Sequence, residues 1–160
     1  MSSVPERSEI SDPYKWDLGS VYATDGEWEA AYESVEGRLA DLERFEGRAT
    51  EDGETLLAAL ECRDEVMRQL STVAAYAQMR ADEDTRDQTY QAMETRARAL
   101  ASEASSAASY LEPEVQSLSR AELSATVEAT DGLERYDHYL DDVLRVKPHT
   151  RSAEIEALLS

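Results

Sequence analysis

Apolar side chains return every three or four positions from Leu56 to Ala81, and that period constrains the chain more than any other feature. Leu56, Leu60, Met67, Leu70, Ala74, Ala77 and Ala81 share one face, flanked by Leu57, Val66 and Val73. The spacing predicts a helix from about Gly53 to Ala81, roughly 43 Å long at 1.5 Å per residue. The same period recurs on both sides of it. Trp28, Tyr32, Val35, Leu39, Leu42 and Phe45 predict an earlier helix from Asp25 to Glu46, with Thr24 and Glu27 as a capping box and Gly47 just past its end. Tyr90, Met93, Ala97, Leu100, Ala104 and Ala107 predict a third, from Asp84 or Thr85 to Tyr110, broken by Pro113. "ASEASSAAS" gives this helix a small-sided segment that permits close helix–helix approach. A short fourth helix follows Ser119, capped with Glu122, and ends near "ATDG". A fifth runs from Leu133 to Val146 and carries Tyr136, Tyr139, Leu140, Val143 and Leu144. "KPHT" stops it, and a sixth starts after Ser152 with Leu158 and Leu159 near its end. No stretch sustains strand alternation, so the chain reads as all-α: an antiparallel bundle of five to six helices.

The segment before Thr24 reads differently. Pro13 cannot continue a helix and pushes Asp12 towards extended geometry. Tyr14, Trp16, Leu18, Val21 and Tyr22 are costly to leave in water. Residues 1–23 therefore read as an extended aromatic arm that must lie against something, and 24–160 as a helical domain.

Charge narrows the function classes. The 160 residues hold 35 Asp and Glu against 16 Lys and Arg, a net charge of −19, and Lys15 and Lys147 are the only lysines. Such a field repels phosphate backbones and argues against nucleic acid as a partner. Acid spread over the whole chain reads either as an ordinary acidic surface or as that of a salt-adapted, halophilic protein, whose self-repulsion concentrated salt screens, and the scarce lysine favours the second. No run approaches the ~18 apolar residues of a membrane span. "MSSVPERSEISDP" has no apolar signal core, and the single thiol, Cys62, allows no intrachain disulfide, as in a reducing cytoplasm.

Residues of catalytic type do not assemble into a motif. His138 has Glu134 four positions before it and Asp142 four after it, a possible metal face, but this spacing arises readily in so acidic a chain. His149 beside Pro148 reads as a turn residue. "DEDTRD" (Asp82 to Asp87) lacks the glycine and the twelfth-position glutamate of a calcium loop, and reads as a helix–helix turn with an N-cap. Cys62 has only Arg63 beside it and reads as an idle thiol. There is no H-E-x-x-H, no paired cysteine ligands, no phosphate loop and no G-x-S-x-G. No catalytic, metal-binding or substrate-binding residue is assigned from spacing.

Four segments, in order, nevertheless resemble the N-terminal region of the oligoendopeptidase F family of zinc metallopeptidases, relatives of thimet oligopeptidase. They are "YKWDLGSVYATDGEW" (Tyr14 to Trp28), "YAQMRADEDTRDQTYQAM" (Tyr76 to Met93), "SYLEPEV" (Ser109 to Val115) and "YLDDVLRVKPHT" (Tyr139 to Thr150). Arg151 and Ile155 depart from the family's pattern. The resemblance implies a mostly helical and much longer enzyme. Its zinc would sit on an H-E-x-x-H helix with a further Glu ligand, far downstream of residues 1–160, and the motif's Glu would activate a water to attack the peptide bond. Its substrates would be short peptides reaching a deep channel, with the N-terminal helices as part of the wall. It implies zinc in the full-length enzyme and none in this segment. Its partners would be the C-terminal catalytic domain of the same chain and an oligopeptide, with no nucleic acid and no membrane. The chain then reads as a piece of that polypeptide cut mid-helix. The alternative is a freestanding acidic helical module that binds a protein partner without catalysis.

Overall fold

The computed structural model describes residues 9–146. Among them every regular element is helical, and the all-α expectation holds. The α-helices are α1 (Asp25–Gly37), α2 (Leu39–Glu43), α3 (Gly53–Glu83), α4 (Gln88–Ala107), α5 (Leu111–Ser117), α6 (Arg120–Ala129) and α7 (Asp137–Val146). Short 3₁₀ turns stand at Asp12–Tyr14, Leu18–Ser20 and Leu133–Tyr136. The expected sixth helix after Ser152 lies outside the described residues.

The chain divides into two compact units, Met1–Asp41 with Arg63–Ala107 and Leu42–Cys62 with Ala108–Ser160, so that α3 supplies residues to both. In the first unit α1 buries Trp28 and Val35, α3 buries Val66, Leu70, Val73, Tyr76, Ala77 and Ala81, and α4 buries Met93, Ala97, Leu100, Ala104 and Ala107. Most of these fall on the predicted stripes or their flanks, but Tyr76 is buried off the α3 stripe, and Met67 and Ala74 on it are only half-buried. Two of the buried alanines on α4, Ala104 and Ala107, fall in the small-sided segment. In the second unit Leu56 and Leu60 of α3 join Val115, Leu123, Leu133, Leu140, Val143 and Leu144 in one core. Phe45, Ala49, Ala59, Tyr110 and Leu111 form a smaller cluster. α7 packs on α5 and α6.

Capping follows the sequence closely. At α6 the Ser119 Oγ accepts from Glu122 N (3.2 Å) while Glu122 Oε2 accepts from Ser119 N (2.8 Å), a complete box. At α1 the Thr24 hydroxyl accepts from Glu27 N (3.2 Å), but the Glu27 carboxylate takes the amide of Ala23 (2.9 Å), one residue earlier than a box requires. Asp52 caps α3 by accepting from Thr55 N (2.7 Å).

Several helix boundaries differ from expectation. The predicted Asp25–Glu46 helix is broken. α1 stops at Gly37, α2 covers five residues, and tight bonds of Phe45 N to Leu42 O, Glu46 N to Glu43 O and Arg48 N to Phe45 O carry the chain through a loop. Gly37 weakens helix propagation by about 1 kcal/mol relative to alanine. A long-range contact then fixes the loop. The Glu114 carboxylate accepts from Gly47 N (2.5 Å) and Ala49 N (2.8 Å), and Gly47 holds the positive φ of 76° that this turn needs. Tyr110 secures the same loop by donating its hydroxyl to Leu42 O (2.8 Å). Burial, with Cys62 and Glu114 nearby, pushes that phenol up to about 12, so it remains a donor.

The second difference is Pro113, which does not break a helix. It sits in the first turn of α5, where its missing N–H would lack an intrahelical partner in any case. The break falls earlier, after Ala107, where the chain turns into α5 through Leu111 N to Ala108 O (3.2 Å). The expected start of the third helix at Asp84 or Thr85 likewise moves to Gln88, because Asp84 folds onto Arg86 and leaves Asp87 as the cap.

These contacts give Glu114 a purpose that its "LEPEV" setting does not reveal. Glu114→Ala removes a charged acceptor from two backbone amides and is expected to destabilise the chain by about 2 kcal/mol. Urea denaturation measures it. A change inside the ±0.5 kcal/mol ordinary for surface positions would show that the Leu42–Asp52 loop holds itself.

Candidate functional site

A cluster of ionisable and hydroxyl groups lies in the first unit, where α1, α3 and α4 supply Asp25, Tyr76, Arg80, Glu83 and Tyr90. Helical spacing creates it. Tyr76 and Arg80 are one turn apart on α3, and Glu83 follows three positions on. The Tyr76 hydroxyl donates to Asp25 Oδ1 (3.2 Å), and the Tyr90 hydroxyl approaches Asp25 Oδ2 at 3.5 Å. Arg80 Nη2 donates to the Tyr90 oxygen (2.7 Å) and Nη1 to Glu83 Oε2 (3.1 Å). The guanidinium lies 4.4 Å from the centre of the Tyr90 ring and 5.7 Å from that of Tyr76. Burial, more than the neighbouring Asp25 carboxylate, raises both phenols above their ordinary value. The tyrosines therefore stay protonated, with their hydroxyls committed. The cluster can hold three helices together, but it offers no activated nucleophile or poised base.

Arg96 makes a second cation–aromatic site beside it. Its guanidinium pairs with Glu29 (Nη1 to Oε2, 2.8 Å) and lies 4.3 Å from the Tyr32 ring centre and 5.4 Å from that of Trp28. The hydrogen bond that Arg96 donates to Glu29 raises the guanidinium's affinity for its proton and lowers that of the carboxyl in return.

Two surface grooves stand out. One of about 290 Å³ in the first unit is lined by Tyr22, Ser34, Arg68, Gln69 and Thr72, among others. Arg68 is tied to Glu65 (2.8 Å), and Thr72 donates to the carbonyl of Arg68 (3.3 Å), so both are engaged within α3. One of about 420 Å³ in the second unit has Arg44, Phe45, Arg48, Asp52 and Thr55 in its wall. There the Arg44 guanidinium lies 4.7 Å from the Phe45 ring centre. Asp52 is held below the usual carboxylate range by its bonds to Thr55. Neither groove brings a nucleophile to a base.

His138 is exposed on α7, and its two neighbouring carboxylates are engaged elsewhere. Glu134 accepts from Gly132 N (2.6 Å), and Asp142 from Arg145 Nη2 (2.6 Å). In "DEDTRD", the Asp84 carboxylate accepts from the backbone and side chain of Arg86 (2.8–3.0 Å), which holds it down at about 2. Asp87 accepts from Thr89 N (2.8 Å), as an N-cap does. Cys62 is half-buried and packs on the cluster around Phe45. His149 lies outside the described residues. Among the described residues no three His, Cys, Asp or Glu converge as a metal site would require. Sequence reading missed the Arg80 pin and the Glu114 clamp. The signal for Arg80 was a cation one turn beyond Tyr76 on a predicted helix.

Comparison with known proteins gives a consistent picture. The family model described as "Oligopeptidase F" matches residues 114–160. Oligopeptidase PepF of Bacillus subtilis is 30% identical over 159 residues, covering 99% of this chain and 24% of its own length. Group B oligopeptidase PepB of Streptococcus agalactiae is 32% identical over 154 residues, covering 96% and 26%. The crystal structure of oligoendopeptidase-F from Enterococcus faecium superposes with a TM-score of 0.74 at 32% identity, over 85% of this chain and 27% of that one. A crystal structure from Chlamydophila abortus superposes at 0.78 and 25% identity, over 98% and 27%. The chain thus spans about a quarter of the length of the relatives it matches.

Proposed function

We propose that these residues are the N-terminal helical region of an oligoendopeptidase F-type zinc metallopeptidase, a cytoplasmic enzyme hydrolysing short peptides. The observation that carries this reading is the co-linear match: 99% of this chain aligns with a quarter of an oligopeptidase, and its fold superposes on an oligoendopeptidase-F. The motifs that suggested the family have structural roles. Tyr76, Arg80, Asp87 and Tyr90 pin and cap helices, and Glu114 of "LEPEV" clamps a loop. Residues that shape a scaffold fit a segment that positions chemistry carried elsewhere in the polypeptide. Zinc does not fit the described residues, where the carboxylates nearest His138 have other partners, so its ligands belong beyond them. The helices act as part of the wall of the substrate channel. No described helix is long and apolar enough to cross a membrane.

The test compares three proteins in a fluorogenic oligopeptide assay: residues 1–160, the longer polypeptide, and that polypeptide lacking residues 1–160. Chelator-sensitive cleavage is expected from the longer polypeptide, which should leave folded proteins uncut. The segment alone should be inactive, and the deletion should abolish or badly impair turnover. Cleavage by the segment alone would overturn the absence of catalytic residues. Undiminished, equally size-selective turnover by the deleted enzyme would remove the wall role.

The charge adds a proposal about habitat. A net charge of −19 repels itself in dilute buffer, and raising salt from about 0.1 M to 1 M shortens the screening length from about 10 Å to 3 Å. The melting temperature should therefore rise across that range of KCl. A flat or falling melting temperature counts against a halophilic origin.

A further inference from the structure

Trp16, Tyr14 and Val21 are the exposed large hydrophobic residues among the described residues, at 51%, 85% and 42% accessibility. All three fall in the stretch Tyr14–Val21. Elsewhere among the described residues no large hydrophobic side chain is exposed, so the exposure is local and not a general looseness of packing.

The stretch is also ordered by its own bonds. Tyr14 N donates to Ser11 O (2.9 Å) and Lys15 N to Asp12 O (3.0 Å), and the Lys15 ammonium closes the turn on the Asp12 carboxylate (3.0 Å). Leu18 is buried and anchors the following turn, in which Val21 N donates to Leu18 O (3.1 Å). Tyr22 packs edge-on against Tyr76 with ring centres 5.1 Å apart. Anchors on the inner side hold the indole and phenol outward. Backbone turns thus present Trp and Tyr, the residue types enriched at the centre of buried interfaces.

We infer that Tyr14, Trp16 and Val21 form a docking surface for the downstream part of the same polypeptide. This rests on the proposed function, since it assumes such a downstream part. The solved relatives superpose on 85–98% of this chain, yet this chain covers 27% of each of them, so nearly three quarters of a homologous molecule remains to pack against these helices. That part would present an apolar recess for the indole and an acceptor for the phenol.

The experiment uses the full-length protein. Hydroxyl-radical footprinting should find Trp16 and Tyr14 protected, independent of protein concentration and of added peptide. Trp16→Ala should speed amide exchange of residues 12–22 by about 30-fold, the ratio given by a 2 kcal/mol hot-spot loss. Trp16→Phe should retain most of the protection. Reactive Trp16 and Tyr14 in the full-length monomer would overturn the inference. So would protection that appears only on dimerisation, which assigns the surface to a second copy, or only with added peptide, which assigns it to a ligand. Peptidase activity is read separately. A protein protected at Trp16 but inactive on peptides would sink the proposed function and leave the docking surface standing.

Discussion

Replacing Trp28 by alanine is expected to destabilise the chain by about 3–5 kcal/mol, the range for removing a large aromatic from a packed core. Trp28 is fully buried on α1. Its indole N–H donates to the carbonyl of Val73 on α3 (2.9 Å), so the ring joins two helices by a hydrogen bond as well as by contact. Tyr32 stacks at a tilt with ring centres 5.4 Å apart, and Arg96 of α4 covers the outer face. Alanine leaves a cavity that three helices would have to collapse together to fill. It also strips Arg96 of part of its aromatic seat. Trp28→Phe should cost less, because the ring volume largely survives and the lost indole bond is worth about 1 kcal/mol. Urea denaturation followed by circular dichroism ranks the two variants. A cost for Trp28→Ala near the ~1 kcal/mol average of arbitrary substitutions would mean that Trp28 does not organise this unit.

Gly53→Ala is expected to destabilise although helix propensity alone says the opposite. Gly53 opens α3, and a Gly→Ala change at a compatible helical position ordinarily stabilises by about 0.4–1 kcal/mol. Here a Cβ would stand 1.9 Å from Thr130 Oγ1, 2.9 Å from Thr130 Cβ and 3.2 Å from Thr126 Cγ2. Rotating the Thr130 side chain can move its Oγ1 away but not its Cβ. The end of α6 or the start of α3 must therefore shift, at about 1–3 kcal/mol for overpacking. Thr130→Gly removes the obstructing atoms, so the Gly53→Ala/Thr130→Gly double variant should be more stable than the sum of its single changes predicts. Additive losses, or a stabilising Gly53→Ala, would show that the approach of α6 to α3 is not tight.

Trp16 and Trp28 show where sequence reading stops. Both stand in one aromatic stretch, and composition treats them alike. Trp28 is in phase with Tyr32 and Val35, and that period already places it on a buried face. Trp16 has no such phase, and its half-exposure follows from turns anchored on Leu18 and Tyr22. The candidate site was no more legible. Tyr76, Arg80 and Tyr90 stood in a quoted motif, but their partner Asp25 lies 51 positions from Tyr76.

By itself the sequence determined the helical class, the buried faces of α1, α3, α4 and α7, and the caps at Thr24 and Ser119. These depend on groups three or four residues apart, which meet whenever a helix forms. The tertiary structure alone decided that Glu114 clamps the loop after α2, that Tyr76 and Tyr90 share Asp25 and that α3 must begin with glycine. Each of these depends on a partner distant in sequence, as Glu114 is 67 positions from Gly47. A local pattern carries no record of such a partner, because bonding and steric exclusion between remote segments exist only once folding has brought their atoms within a few ångströms.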